Sequence, residues 1–187
     1  VREPLEYNPD MAILAEELVE EWLNRQGFFT IRGVKLGVQE IDLLGIRMTS
    51  GAPECRHVEV QASIHPVNGL FAYTKEDQKR LGVGGSSQRS KSDDERRRAC
   101  LAWIGKKFDH PAKVALRSKL APGEWTRELV VHHVQDSKDL DLLREYGIIL
   151  HPLKEVLASM RTQPHVVPRA SGADLGDLTC LSIRDTG

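Results

Sequence analysis

Two short runs carry polar groups where a buried strand would not put them: "QEIDLL" at residues 39–44 and "VEVQ" at residues 58–61. Side chains alternate along an extended chain, so residues two apart share a face. Glu40 and Asp42 therefore share one face of the first run, and Glu59 and Gln61 share one face of the second. Ile41, Leu43, Val58 and Val60 take the opposite, apolar face. If the two runs pair as neighbouring strands, the four polar groups line one patch of sheet. Crowded carboxylates repel one another, and burying them unpaired is costly. A divalent cation removes both penalties. Mg2+ is the natural choice because it prefers hard oxygen ligands and keeps several of its waters. For either run taken alone, a solvated face with alternating polar residues is the simpler reading.

The surrounding elements must hold these runs in place. "NPDMAILAEELVEEWLNRQGF" reads as an amphipathic helix, with Asn8 or Asp10 as cap and Gly27 as stop. Ile13, Leu14, Leu18, Val19, Trp22 and Leu23 form its apolar side. "FFTIRGV" reads as a strand followed by a turn near Gly33 to Gly37. "VQEIDLLGIR" and "ECRHVEVQAS" are two further strands joined by the turn "MTSGAPE". Residues 66–94 are polar and rich in Gly and Ser, the composition of a flexible basic surface insertion. Helices are predicted over "DDERRRACLAWIGKKF", over residues 111–120, over "SKDLDLLREYG" and over "KEVLASMR". Strands are predicted at "WTRELVVHHV" and "IILHPL". Three meandering strands, then a helical crossover to a fourth, give an α/β sandwich with a mixed sheet flanked by helices. Residues 1–161 form one domain in this reading, and residues 162–187 form a C-terminal arm with no assigned role.

Order and spacing of these pieces resemble the PD-(D/E)XK nuclease superfamily, which includes restriction enzymes and Holliday junction resolvases. Glu16, Val19, Leu23, Gly27 and Phe28 fit the spacing of its helical motif. Glu40 to Leu43 fit "G-E-I-D-L", and Val58 to Gln61 fit "V-E-V-K". The detailed match covers about residues 10–63. The resemblance implies a restriction-endonuclease-like three-layer sandwich and a Mg2+-dependent endodeoxyribonuclease, with Mn2+ as a substitute metal. It also implies that Asp42 and Glu59 hold the metal, with the carbonyl of Val60 as a further ligand and Glu16 reaching in from the first helix. Two residues depart from the pattern. Gln39 stands for Gly, and Gln61 stands for the lysine that orients the attacking water and stabilises charge. An amide can donate and accept hydrogen bonds but carries no charge. Lys35 and Lys75 are candidates for a cation that has migrated.

The formal net charge is −1, so cationic binding of nucleic acid must be local. Between Lys75 and Lys107 ten basic residues stand against five acids. Lys79, Arg80, Arg89, Lys91, Arg96, Arg97, Arg98, Lys106 and Lys107 are the candidate phosphate contacts. The competing reading is a solvated helix with i,i+4 pairs from Asp93 to Arg97 and from Asp94 to Arg98. Aromatic content of 5% argues against base or sugar stacking, and with it a two-carboxylate glycosidase. A catalytically weak or inactive nuclease-fold module that binds DNA or protein is the alternative. Three scattered cysteines and no long apolar run suit a cytoplasmic protein with no membrane partner. Cutting two strands favours a homodimer.

Overall fold

The computed structural model describes residues 9–62, 69–132, 134 and 136–162. Helix α1 (Pro9–Arg25) leads into strands β1 (Phe29–Leu36), β2 (Gln39–Arg47) and β3 (Glu54–Gln61). Helices α2 (Lys75–Leu81), α3 (Asp93–Lys107) and α4 (Pro111–Leu120) follow, then β4 (Trp125–Val131), α5 (Ser137–Glu145), β5 (Ile149–Pro152) and α6 (Leu153–Met160). The five strands form one sheet in sequence order. β1, β2 and β3 run antiparallel, while β3, β4 and β5 run parallel. This is the mixed α/β sandwich read from the sequence.

Each sheet face has its own core. On one side Val19, Trp22 and Leu23 of α1 and Val156 and Met160 of α6 pack on Leu43, Val58 and Val130. Arg25 ties these two helices by donating to the Met160 carbonyl at 2.7 Å. On the other side Ala99, Cys100 and Ile104 of α3 and Leu142 and Leu143 of α5 pack on Leu129 and Val131. Burying these alternating apolar side chains is the main drive for the three-layer arrangement. α3 is fixed at its start by a capping box, in which Ser92 and Glu95 satisfy each other's backbone N–H groups.

Two expectations change. The first strand does not end near Gly33 but continues to Leu36, and the turn is Gly37–Val38. Gly33 has a φ of 65°, and the pairs Arg32–Leu43 and Val34–Ile41 on either side stay in register. The Gly/Ser-rich segment holds helix α2 between a Thr74 cap and a left-handed Gly82. The loop after it is tied down: Tyr73 is buried, donates its N–H to Gly85 and donates its hydroxyl to the Arg89 carbonyl. Residues 66–68 of the predicted insertion and the arm from residue 163 lie outside the described residues.

Candidate active site

β2 and β3 pair from Arg47–Glu54 to Leu43–Val58. One step further, the same register sets Asp42 opposite Glu59. There the backbone ladder stops, and Asp42 Oδ2 takes the Val60 N–H at 2.8 Å instead. Residues opposite each other in an antiparallel pair project to the same face. Both carboxylates therefore point toward α3 and α4.

Lys107, the last residue of α3, reaches both. Its Nζ lies 2.6 Å from Glu59 Oε2 and 3.8 Å from Asp42 Oδ2. The other oxygen of Glu59 takes hydrogen bonds from Lys113 Nζ at 3.0 Å and from His57 Nε2 at 2.9 Å. His57 Nδ1 faces Arg117 at 2.8 Å. A guanidinium can only donate, so Nδ1 accepts and Nε2 carries the proton that binds Glu59. Burial pulls the imidazole pKa below its usual value, which agrees with this neutral form. Lys113 also holds the Lys107 carbonyl at 2.7 Å, fixing the end of α3.

Helix α4 is consequently inside out. Lys113 and Arg117, four residues apart, are 1% and 7% exposed, whereas Val114 and Leu120 face solvent. Hydropathy alone would place these side chains the other way round.

The two carboxylates titrate in opposite directions. Burial first, and then the charge of Glu59, push Asp42 up to about 7. Burial also works against the charged form of Glu59, but the hydrogen bond from His57 and the charge of Lys107 outweigh it and hold Glu59 at about 2. Glu16 is raised as well, by burial and then by Glu40, and its charge adds to the field on Asp42. The first helix thus brings Glu16 within electrostatic reach of the carboxylate pair. Gln61 ends β3 on the Glu59 face, and its carbonyl takes the His132 N–H at 3.2 Å.

Sequence reasoning missed His57, Lys113 and Arg117, and it misplaced Lys107. Lys107 is expected at a phosphate, and its side chain instead turns inward to Glu59. Lys35 stands opposite Glu40 in the β1–β2 ladder, and Lys75 is exposed at the start of α2. Among the described residues Lys107 is the cation that reaches both carboxylates, and Lys113 pairs with Glu59. Arg96 is a second correction. It is buried and pairs with Asp139 and with Asp136, the latter at 2.6 Å, so it does not present a guanidinium to a phosphate. Arg80 and Arg98 both bind the buried Asp77, Arg80 and Arg89 bind Glu95, and Arg97 binds Glu145. These partners replace the i,i+4 pairs expected within α3. Lys91 lies 4.5 Å over the Tyr73 ring. Lys79 and Lys106 are exposed.

Among the described residues no group of three or more His, Cys, Asp or Glu side chains is arranged to hold a metal ion. Mg2+ needs less than that, since it commonly takes one or two carboxylates and keeps waters. Asp42 and Glu59, two hard oxygen donors close enough to share one ammonium, fit that requirement.

No protein-family model and no curated protein matches the chain. It is similar to a solved structure described as a protein of unknown function, AF1548. The two are 17% identical, with a TM-score of 0.46 over 86% of this chain and 72% of that one. No helix among the described residues is long and apolar enough to cross a membrane.

Proposed function

We propose that the protein is a metal-dependent endonuclease that hydrolyses phosphodiester bonds in DNA. One observation carries the reading. Two carboxylates meet on one sheet face and share the Lys107 ammonium, and one of them is driven up to about 7 by burial and by the other's charge. Opposed pKa shifts in neighbouring acids are a mark of functional sites. Stability alone does not favour such a pair, because a buried charge cluster is commonly no better than apolar packing.

Asp42 and Glu59 would hold Mg2+, with the Val60 carbonyl and Glu16 as further oxygen donors. When bound, the ion supplies Lewis-acid polarisation of a phosphoryl oxygen and a water of lowered pKa. The chain does the rest. His57 and Lys113 fix the orientation of Glu59 through Oε1. Val60 N–H fixes Asp42 through Oδ2. Gln61 offers an amide on the same face to orient water or a phosphate oxygen. Lys107 provides the positive charge that Gln61 cannot. Exposed Lys79 and Lys106 would meet backbone phosphates.

A second reading has its own observation. Glu59 already accepts from three donors, His57, Lys107 and Lys113, as a finished structural ion pair would. That arrangement suits a nuclease-fold module that binds DNA without cutting it. Supercoiled plasmid incubated with Mg2+, Mn2+ or EDTA separates the two. Nicking that EDTA and Asp42→Ala both abolish supports the endonuclease. Retardation of DNA with no cleavage in either metal supports the binding module. Cleavage of two strands calls for two sites, so a homodimer is the proposed assembly, to be checked by light scattering. A reducing cytoplasm is the proposed setting, in keeping with the free thiols of Cys55 and Cys100.

A further inference from the structure

We propose that Lys107 is an internal placeholder for the divalent cation: its ammonium fills the corner between Asp42 and Glu59, and metal binding drives it out toward the substrate phosphate. This rests on the metal-site reading above.

The bonds around Glu59 divide into fixed and exchangeable ones. Oε1 is held by His57 and Lys113, which are 0% and 1% exposed. Neither has solvent to move into. Oε2 is held by Lys107, whose side chain is partly open to solvent. The backbone of Lys107 stays put, because Lys113 grips its carbonyl. A four-carbon stem on a fixed anchor lets the ammonium swing while the helix does not move. The oxygens that Lys107 serves, Glu59 Oε2 and Asp42 Oδ2, belong to the two residues that would ligate the metal. A monovalent cation and a divalent one cannot both occupy that corner, because their repulsion at such separations is large. Binding of the ion is therefore an exchange. The displaced ammonium is anchored one helix end away from the carboxylates, where a phosphate attracted by the ion would meet it.

Placeholder and ordinary catalytic cation differ in one respect. Removing a catalytic cation that stands beside the ion slows cleavage and raises metal affinity only slightly, through screened repulsion. Removing a placeholder slows cleavage and tightens metal binding. Mn2+ titrated calorimetrically at pH 8 into the wild type, Lys107→Met and Asp42→Asn tests this. Methionine keeps the apolar stem without the charge. The expected result is Mn2+ binding about ten- to a hundredfold tighter in Lys107→Met than in the wild type, with none in Asp42→Asn. Weaker, equal or only slightly tighter binding in Lys107→Met, with the wild type still binding, overturns the placeholder and leaves the metal site standing. No binding by wild type or Lys107→Met overturns both.

A measurement on the unaltered chain covers the case in which Lys107→Met fails to fold. An amine-acetylating reagent at pH 8 is applied with and without Mg2+, and modification is read residue by residue by mass spectrometry. Lys106, exposed next door, is the internal control. Mg2+ should raise acetylation of Lys107 several-fold and leave Lys106 unchanged. Unaltered protection of Lys107 at a Mg2+ concentration that calorimetry shows to be saturating refutes the exchange.

Discussion

Asp42→Asn isolates the electrostatic strain of the site. The amide keeps an oxygen to accept the Val60 N–H, so the local geometry survives. What disappears is a carboxylate whose pKa stands at about 7 rather than the ordinary 3.8, through burial and then the charge of Glu59. Above about pH 4 the unfolded chain has released this proton, while the folded chain keeps it until about pH 7. The folded state holds the extra proton across that window and loses stability as pH rises through it. The full loss is about 4 kcal/mol, of which about 2.5 kcal/mol falls between pH 5 and pH 8. Urea denaturation of wild type and Asp42→Asn at pH 5 and pH 8 reads the difference directly. The variant should gain about 2.5 kcal/mol on the wild type between the two pH values. Groups common to both proteins, Glu16 included, largely cancel. A wild-type-minus-variant difference that stays constant within about 0.5 kcal/mol, or moves the other way, would show that Asp42 is an ordinary solvated carboxylate.

Glu59→Gln should be far more damaging. It leaves Lys113 buried beside a neutral amide, and breaking a buried pair from one side costs about 3–5 kcal/mol; a urea midpoint that hardly moves would contradict the buried network. Arg96→Leu should lower stability through loss of its pairing to Asp139 and Asp136 while leaving DNA affinity intact. Lys79→Gln and Lys106→Gln should do the opposite, each flattening the salt dependence of DNA binding by a slope of about one. The reverse pattern in fluorescence anisotropy would restore Arg96 to the DNA surface. Gln61→Ala should slow cleavage about 10²–10³-fold. Gln61→Lys should restore activity to Lys107→Met, because it returns a positive charge to the Glu59 face; a double variant as slow as Lys107→Met would place the charge requirement elsewhere.

The sheet and its carboxylates were readable because their signals are local. Period-two alternation assigns Asp42 and Glu59 to a face without knowledge of any other element, and a short turn makes β2 and β3 neighbours. Their counter-charges come from 48 and 54 residues further on, through a crossover whose packing no local pattern specifies. α4 actively misleads, since its buried side carries Lys113 and Arg117. His57 was the accessible clue. It lies two residues before Glu59, on the same face of β3. The arginines of α3 were misjudged for a similar reason. Their spacing offered partners in the same helix, and the fold gave Arg98 to Asp77 and Arg97 to Glu145, 21 and 48 residues away. For Arg98 the buried carboxylate of Asp77 outcompetes an exposed i,i+4 contact of a few tenths of a kcal/mol, whereas the Arg97–Glu145 pair is itself exposed.

β3 is the seam of the sheet, antiparallel to one neighbour and parallel to the other. This sets an order of assembly. The β1–β2–β3 meander closes short loops, whereas β3 meets β4 only after the chain has crossed through α2, α3 and α4. Short loops close at lower entropic cost and sooner. Asp42 and Glu59 are thus brought face to face before Lys107 and Lys113 arrive to relieve them. The meander is then a folding nucleus with two carboxylates set side by side, opposed by its own site. Removing one of the two charges should speed refolding, so in stopped-flow mixing at pH 8 Asp42→Asn should refold faster than the wild type. Equal refolding rates in the two proteins would place the carboxylates outside the transition state. On this view the residues that equip the chain to capture a cation also slow its folding, until the α3–α4 crossover delivers the cations encoded further along the chain.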